Sequence, residues 1–236
     1  LGRINPIHPH ALPFIDLPNV YVNYFGAEGL NDEGLSLSWL VPNPLEFYQE
    51  LTVEATTGPV NSPSFVRSNS NKYLFLAHLK NFWDLSQNST LELGLSGIVG
   101  PNIASSSTAI GAFDLTYKWK PLQYNTYQSM GWQSEALFSK ANDPVAGDVN
   151  SWGMYSSVTY QIEKRWFLTC RFDYSNLPTS ASLVERAYST CLGWYATEFQ
   201  KIELEGKMTT SNFQNDYHQA MLRWVFVIGS HGAHAY

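Results

Sequence analysis

The sequence has little charge, little cysteine and no long apolar run, and each shortage excludes a class of protein. Charged residues make up 14% of its 236 residues, against about 25% in average soluble domains. No stretch approaches the roughly 18 uninterrupted apolar residues of a membrane-spanning helix, which excludes a helical membrane protein. The two cysteines, Cys170 and Cys191, are too few for a disulfide framework. Because they occupy opposite phases of their strands, we expect no disulfide between them.

The basic residues are too few and too scattered for a nucleic-acid-binding surface. Lys and Arg total 14 against 20 Asp and Glu, a net charge of −6, so we expect no nucleic-acid partner. Aromatic residues, by contrast, make up 15% and all hydrophobic residues 44% of the chain. That apolar content is enough to offset the entropy of ordering the chain, which excludes intrinsic disorder.

Apolar and polar residues alternate with a period of two along most of the chain. In residues 113–120, aromatic and aliphatic side chains hold the odd positions and mostly polar ones the even positions, as in strands with two unlike faces. The clear runs are long enough for the roughly 9–11 tilted residues with which a strand crosses a bilayer. The predicted strands lie near 34–41, 46–57, 71–82, 88–99, 108–120, 126–140, 150–163, 165–176, 184–197, 200–211 and 217–228, with a weak twelfth near 19–25.

Short connections alternate with longer ones, and aromatic residues cluster at both ends of the predicted strands. Trp166 and Trp194 lie beside short turns, whereas Trp152 and Tyr174 lie toward longer loops. Both patterns are typical of outer-membrane barrels. The fold class that we predict is all-β, an antiparallel transmembrane β-barrel with 11 or 12 strands in this chain. The alternative is a soluble β-sandwich, in which the aromatic residues would pack between two sheets.

We divide the chain into a loop or lumen-directed segment over 1–33, barrel strands over 34–228 and a tail over 229–236. If the apolar face meets lipid, the other face lines the lumen. Its charges either line water in a wide barrel or pair and plug a narrow one, and the sequence leaves both open. The predicted pore-lining residues are Glu50, Glu54, His78, Lys80, Glu92, Asp114, Lys118, Glu135, Arg171, Asp173, Glu203, Glu205, Lys207 and Arg223.

Four of the six histidines form two close pairs, His8 with His10 and His231 with His234. Imidazole is a common ligand of zinc and copper, so the pairs would make a four-nitrogen site if they met in space. If residues 8–18 belong to an outer loop, the pairs lie on opposite rims and cannot share an ion. We place no Ser and acid beside His78 or His218 by register, and we expect no enzyme activity.

Several motifs resemble those of a known family. They are Leu1–His10, Gly29–Asp32, Ser38–Pro42, Leu79–Phe82, Thr116–Pro121, Ser151–Tyr155 and Phe226–His234. The chain resembles bacterial porin-like outer-membrane proteins that are often labelled zinc-regulated TonB-dependent receptors. The resemblance implies a β-barrel in the outer membrane of a Gram-negative bacterium, and it extends the zinc association only to the four paired histidines.

The chain departs from this family in lacking a plug domain and a TonB box, and family members have further strands upstream. It opens at Leu1 without the features of a signal peptide, as expected of a processed protein or a fragment. We therefore expect the carboxy-terminal portion of a larger barrel.

Three functions remain open at this stage. The first is a porin-like channel for passive diffusion of small hydrophilic solutes or ions, set in the lipid bilayer. The second is binding or uptake of a metal ion, with zinc as the candidate cofactor. The third is a structural barrel that holds envelope partner proteins or assembles as a homo-oligomer.

Overall fold

A computed structural model describes residues 1–45, 47–58, 62–67, 72–145, 147–197 and 199–227. Within these ranges eleven antiparallel strands form one sheet, and the strands neighbour each other in the order of the chain. No helix among the described residues is long and apolar enough to cross a membrane. The prediction of an all-β, antiparallel fold is confirmed, and the single sheet does not agree with the sandwich alternative.

The strands are joined as successive hairpins and mostly exceed ten residues. The longest has 18 residues and the shortest 7. In chain order they are β1 (Gly34–Leu40), β2 (Tyr48–Thr56), β3 (Leu74–Ser86), β4 (Ser89–Pro101), β5 (Ser107–Trp119), β6 (Met130–Ala141), β7 (Val149–Glu163), β8 (Trp166–Leu177), β9 (Ser180–Thr197), β10 (Gln200–Ser211) and β11 (Tyr217–Phe226).

Residues 19–25 form a helix, so the prediction of a weak twelfth strand there is wrong. Helix α1 (Asn19–Phe25) begins after Pro18 and ends at Gly26, whose φ of 95° suits a glycine cap. Its buried apolar residues stand at positions 20, 21, 24 and 25. That spacing lies on one face of a helix and does not alternate as a strand requires. A short 3-10 helix, Pro9–Ala11, precedes it.

The connection between β8 and β9 is a two-residue turn at positions 178–179, where the sequence predicted a longer loop. Asn176 stabilises the hairpin, because its side-chain amide donates a hydrogen bond to the Ala181 carbonyl at 3.0 Å. Polar residues in this stretch therefore extend the strands, so loop lengths do not alternate strictly along the sheet.

The two faces of the sheet are inverted relative to those of a water-soluble protein. On the outer face Leu95 and Phe138 are 55% and 59% exposed. On the inner face Asp173 and Glu205 are fully buried and Glu135 is 1% exposed. Apolar side chains thus point away from the protein while charged ones point into it, in the register that the alternation predicted. The cysteines separate in the same way, with Cys170 exposed and Cys191 buried.

Aromatic side chains contact each other at both ends of the strands. At the short-turn end, the rings of Trp166 and Trp194 lie 6.3 Å apart. At the other end, the Trp152 and Tyr174 rings stack at 4.5 Å. Trp166 and Trp152 are 42% and 38% exposed. One cluster therefore lies at each end of the apolar outer face.

Residues 1–33, which we call the inner segment, lie against the inner face of the sheet. Gly2 donates a hydrogen bond to Ser96 of β4, and Asn19 donates one to Asp173 of β8. Arg223 of β11 also donates hydrogen bonds to backbone carbonyl oxygens of the segment. A single short segment can touch β4, β8 and β11 only if the sheet curls around it. Its apolar residues form the main core together with inward residues of β3 to β7, including Leu76, Ile98 and Leu137.

The sheet has two edges among the described residues. β1 pairs only with β2, and β11 pairs only with β10. All seven residues of β1 are exposed. The chain therefore forms a curved wall around the inner segment, and β1 and β11 are not paired with each other among the described residues.

Candidate functional site

Asp16 anchors the inner segment to the sheet through two cations. Its carboxylate pairs with Arg171 of β8 at 2.7 Å and with Lys207 of β10. Arg171 also pairs with Asp173 at 2.9 Å, and Lys207 donates a hydrogen bond to the Asn19 side chain at 2.6 Å. Burial by itself would raise the pKa of Asp16, but Arg171 and Lys207 outweigh it and hold that pKa below its ordinary value.

Arg223 of β11 binds the irregular backbone that precedes Asp16. Its guanidinium pairs with Glu203 at 2.6 Å. It also donates hydrogen bonds to the carbonyl oxygens of Leu12 at 2.9 Å and Phe14 at 2.8 Å. Lys201 pairs with the other oxygen of Glu203 at 2.8 Å and donates to the Leu12 carbonyl at 3.1 Å. Carbonyl groups of a buried non-helical segment need such donors, and here the barrel wall supplies them.

Glu135 of β6 joins the start of the inner segment to helix α1. It accepts hydrogen bonds from the Tyr21 hydroxyl, from the Tyr155 hydroxyl at 2.6 Å and from the Ile4 amide at 2.8 Å. Burial, together with the neighbouring Glu135 carboxylate, raises the pKa of Tyr21 well above its ordinary value. Tyr21 therefore stays protonated as a donor.

All of the predicted pore-lining residues lie on the inner face, and all except Arg223 fall into two groups. The covered wall comprises Asp114, Glu135, Arg171, Asp173, Glu203, Glu205 and Lys207, which are buried beneath the inner segment. The open wall comprises Glu50, Glu54, His78, Lys80, Glu92 and Lys118, which are only partly buried. Arg223 lies at the edge strand beside the covered wall, with its side chain 15% exposed. That these residues line a conducting pore stays a prediction.

The open wall carries a looser set of contacts. The Tyr48 hydroxyl donates to Glu50, and the Ser36 hydroxyl donates to Glu54 at 3.1 Å. Glu92 pairs with Lys80 at 3.3 Å and with Arg3 of the inner segment at 3.5 Å. These side chains are only partly buried, in contrast to those of the covered wall.

His78 has a serine partner that the sequence analysis did not find. Register places Ser96 of β4 directly opposite His78, and His78 Nδ1 lies 2.8 Å from Ser96 Oγ. The same serine accepts a hydrogen bond from the Gly2 amide at 3.2 Å. Within the described ranges no carboxylate is hydrogen-bonded to the His78 ring, so the pair lacks the third member of a catalytic triad.

The histidine pairs are only partly described. The rings of His8 and His10 stack with centroids 5.6 Å apart, whereas His231 and His234 lie outside the described residues. Among the residues that are described, no group of three or more His, Cys, Asp or Glu side chains is arranged to hold a metal ion. A four-histidine zinc site stays a prediction.

Several residues that hold the inner segment in place were not among the predicted site residues. They are Arg3, Asp16 and Tyr21 of the segment itself and Tyr155 of β7. One signal was available for Asp16, which stands alone between apolar neighbours in the run Phe14–Leu17. A lone carboxylate in an apolar stretch needs a buried cation, and inward Arg and Lys side chains were already predicted on the strands.

The fold and the inverted faces define an all-β protein of the barrel-wall type with a polar, segment-filled interior. No family model matches the chain. It is 25% identical over 283 residues to an uncharacterized protein of Aquifex aeolicus strain VF5, a match that covers 100% of this chain and 58% of the relative. The chain thus spans less than two thirds of that curated relative.

Among solved structures, the chain is similar to a KdgM porin in complex with disordered oligogalacturonate. The sequences are 12% identical, the TM-score is 0.37, and the match covers 83% of this chain and 91% of the other. Neither comparison points to a zinc-regulated TonB-dependent receptor, the label attached to the family that the sequence resembles.

Proposed function

We propose that the chain forms part of the wall of an outer-membrane pore that passes small hydrophilic solutes or ions by passive diffusion. One observation carries this proposal: large apolar side chains are exposed around the outside of the sheet while charged ones are buried within. In water, such a continuous apolar surface favours aggregation. In a bilayer, acyl chains cover it, and the aromatic clusters at the strand ends lie at headgroup depth.

The polar interior gives the pore its selectivity. The inner segment fills the lumen beside the covered wall and narrows the passage to the open wall. The width of this passage then excludes large solutes, and the electric field of the accessible charges favours or disfavours solutes according to their charge. The ion pairs that hold the inner segment make it a fixed constriction.

A pore also needs a closed wall, because the unpaired edges of β1 and β11 cannot face lipid. Further strands of the same polypeptide supply that closure in this proposal. The length of the curated relative supports it, since 42% of that protein lies beyond the match, taking its whole length less the 58% covered. Metal uptake gains no support from the described residues, and zinc remains only the alternative raised by the sequence.

Planar-bilayer recording of the full-length protein tests the proposal. We expect step-like conductance that persists without an energy source, together with heat-modifiable migration of the folded protein on mild SDS gels. The matched control is the same preparation after boiling, which should give no steps. A folded protein that inserts into the bilayer and stays electrically silent would contradict a pore and favour the structural-barrel alternative.

A further inference from the structure

We propose that Arg3, Lys80 and Lys118 form a binding site for a small anion, a phosphate or a carboxylate, inside the lumen near the short-turn end of the strands. The site would make the pore favour anionic solutes, so this part of the inference rests on the proposed function. The binding site itself does not, because it can be measured without any current.

The register of three neighbouring strands brings the site together. Lys80 of β3 lies opposite Gly94 of β4, one inward position from Glu92. Lys118 of β5 lies opposite Thr90, one inward position from Glu92 on its other side. Diagonal positions of this kind are within reach of long side chains. Glu92 therefore stands between the two lysines.

Arg3 approaches the same point from the inner segment. Its guanidinium lies 3.5 Å from one oxygen of Glu92, and the Lys80 ammonium lies 3.3 Å from the other. Both oxygens of Glu92 are thus already engaged. Lys118 lies on the other side of Glu92 by register, and it has no carboxylate within 4 Å among the described residues.

This cluster differs from every other group of inward cations in the described structure. On β8, β10 and β11, each inward cation has at least one carboxylate within 4 Å, and Arg171 has three. At the open wall, Arg3 and Lys80 share Glu92, whereas Lys118 has no carboxylate within 4 Å among the described residues. Glu50 faces Lys80 across the β2–β3 pair and accepts a hydrogen bond from the Tyr48 hydroxyl. The cluster is therefore distinguished by Lys118, an inward cation without a close carboxylate of its own.

The cluster is also accessible to a solute. The side chains of Arg3 and Lys80 are 19% and 29% exposed, and Lys118 is partly buried. All three side chains are therefore on the inner face and only partly covered. Clustered cations raise the local concentration of anions, and Arg and Lys donors bind phosphate and carboxylate oxygens through charge-assisted hydrogen bonds.

Binding is tested with inorganic phosphate as the probe, by calorimetry on the full-length protein in detergent. The test variant is Lys80→Gln/Lys118→Gln, and the matched control is Lys164→Gln, which changes an exposed lysine of the β7–β8 turn. We expect the double variant to weaken phosphate binding by about tenfold or more, since two of three cations are lost. Glu92→Gln should tighten it, and Lys164→Gln should leave it unchanged. Heat-modifiable migration confirms that each variant folds.

The second readout is the reversal potential across a bilayer with a KCl gradient. We expect chloride preference in the native protein, a shift toward potassium in the double variant and inhibition of the native current by phosphate. Equal phosphate affinity in native and double-variant protein overturns the site. Phosphate binding without any conductance supports the site and contradicts the proposed pore, so the two failures are distinguishable.

Discussion

The covered wall and the open wall come from the same alternating pattern, yet their inward side chains differ in burial. Asp173 and Glu205 are fully buried under the inner segment, whereas Glu50 and Glu54 remain partly exposed. Buried charges require close partners, and those of Arg171 lie within 4 Å. Partly exposed ones are solvated. In the pore that we propose, one face of one sheet thus lines a constriction on one side and a passage on the other.

The largest effect should come from removing the inner segment, which covers one wall and leaves the other accessible. Replacing residues 1–33 with a short flexible linker should raise single-channel conductance several-fold, because the lumen beside the covered wall becomes open. Planar-bilayer recording of the full-length protein measures this. An unchanged conductance in a folded variant would show that the inner segment does not narrow the passage.

The next largest effect is a loss of stability on replacing Arg171 of the covered wall. Arg171→Met should destabilise the protein by about 3–5 kcal/mol, because it leaves the buried carboxylates of Asp173 and Glu205 without their cation and removes one of the two cations of Asp16. Arg186→Met is the matched control, since Arg186 is exposed on the neighbouring strand β9. Denaturant unfolding in detergent measures both variants, and equal losses would contradict a special role for the buried network.

The stability that the ion pairs of Asp16 contribute to the inner segment depends on pH. The pKa of Asp16 is lower in the folded protein than in the unfolded chain, so its contribution to stability is complete above the ordinary Asp pKa of about 3.9. That contribution is lost as the pH falls through the lowered folded value.

Asp16→Asn should remove this dependence and cost about 1–3 kcal/mol at neutral pH, because Arg171 and Lys207 lose a carboxylate. Unfolding midpoints at neutral pH and at decreasing acid pH, compared between native and variant protein, provide the measurement. Parallel pH profiles for the two proteins would refute the assignment.

The smallest effect on stability is expected at the open wall. Glu54→Gln should change the free energy of unfolding by less than about 0.5 kcal/mol, since a partly exposed carboxylate held by one serine loses little. It should nevertheless shift the reversal potential toward chloride, because one negative charge leaves the passage. A large loss of stability with no shift in the reversal potential would contradict the difference that we draw between the covered wall and the open wall.

The strands and their faces could be predicted because period-two alternation depends only on neighbouring residues. Phe113 and Asp114 reach opposite faces whatever lies across the lumen. Helix α1 was missed because a seven-residue run of mixed aromatic and aliphatic residues fits either period, and its buried face depends on contacts with β7, β8 and β9. The turn after Leu177 was missed for a similar reason, because its polar residues suit a loop and a paired strand equally well.

The sequence by itself determined an antiparallel sheet with one apolar and one charged face, and it identified which charges point inward. Only the tertiary structure decided which of those charges are covered and which remain accessible. Alternation is a local property of the chain, whereas Asp16 meets Arg171 across a sequence separation of 155 residues. The course of the inner segment through the lumen depends on all the strands at once.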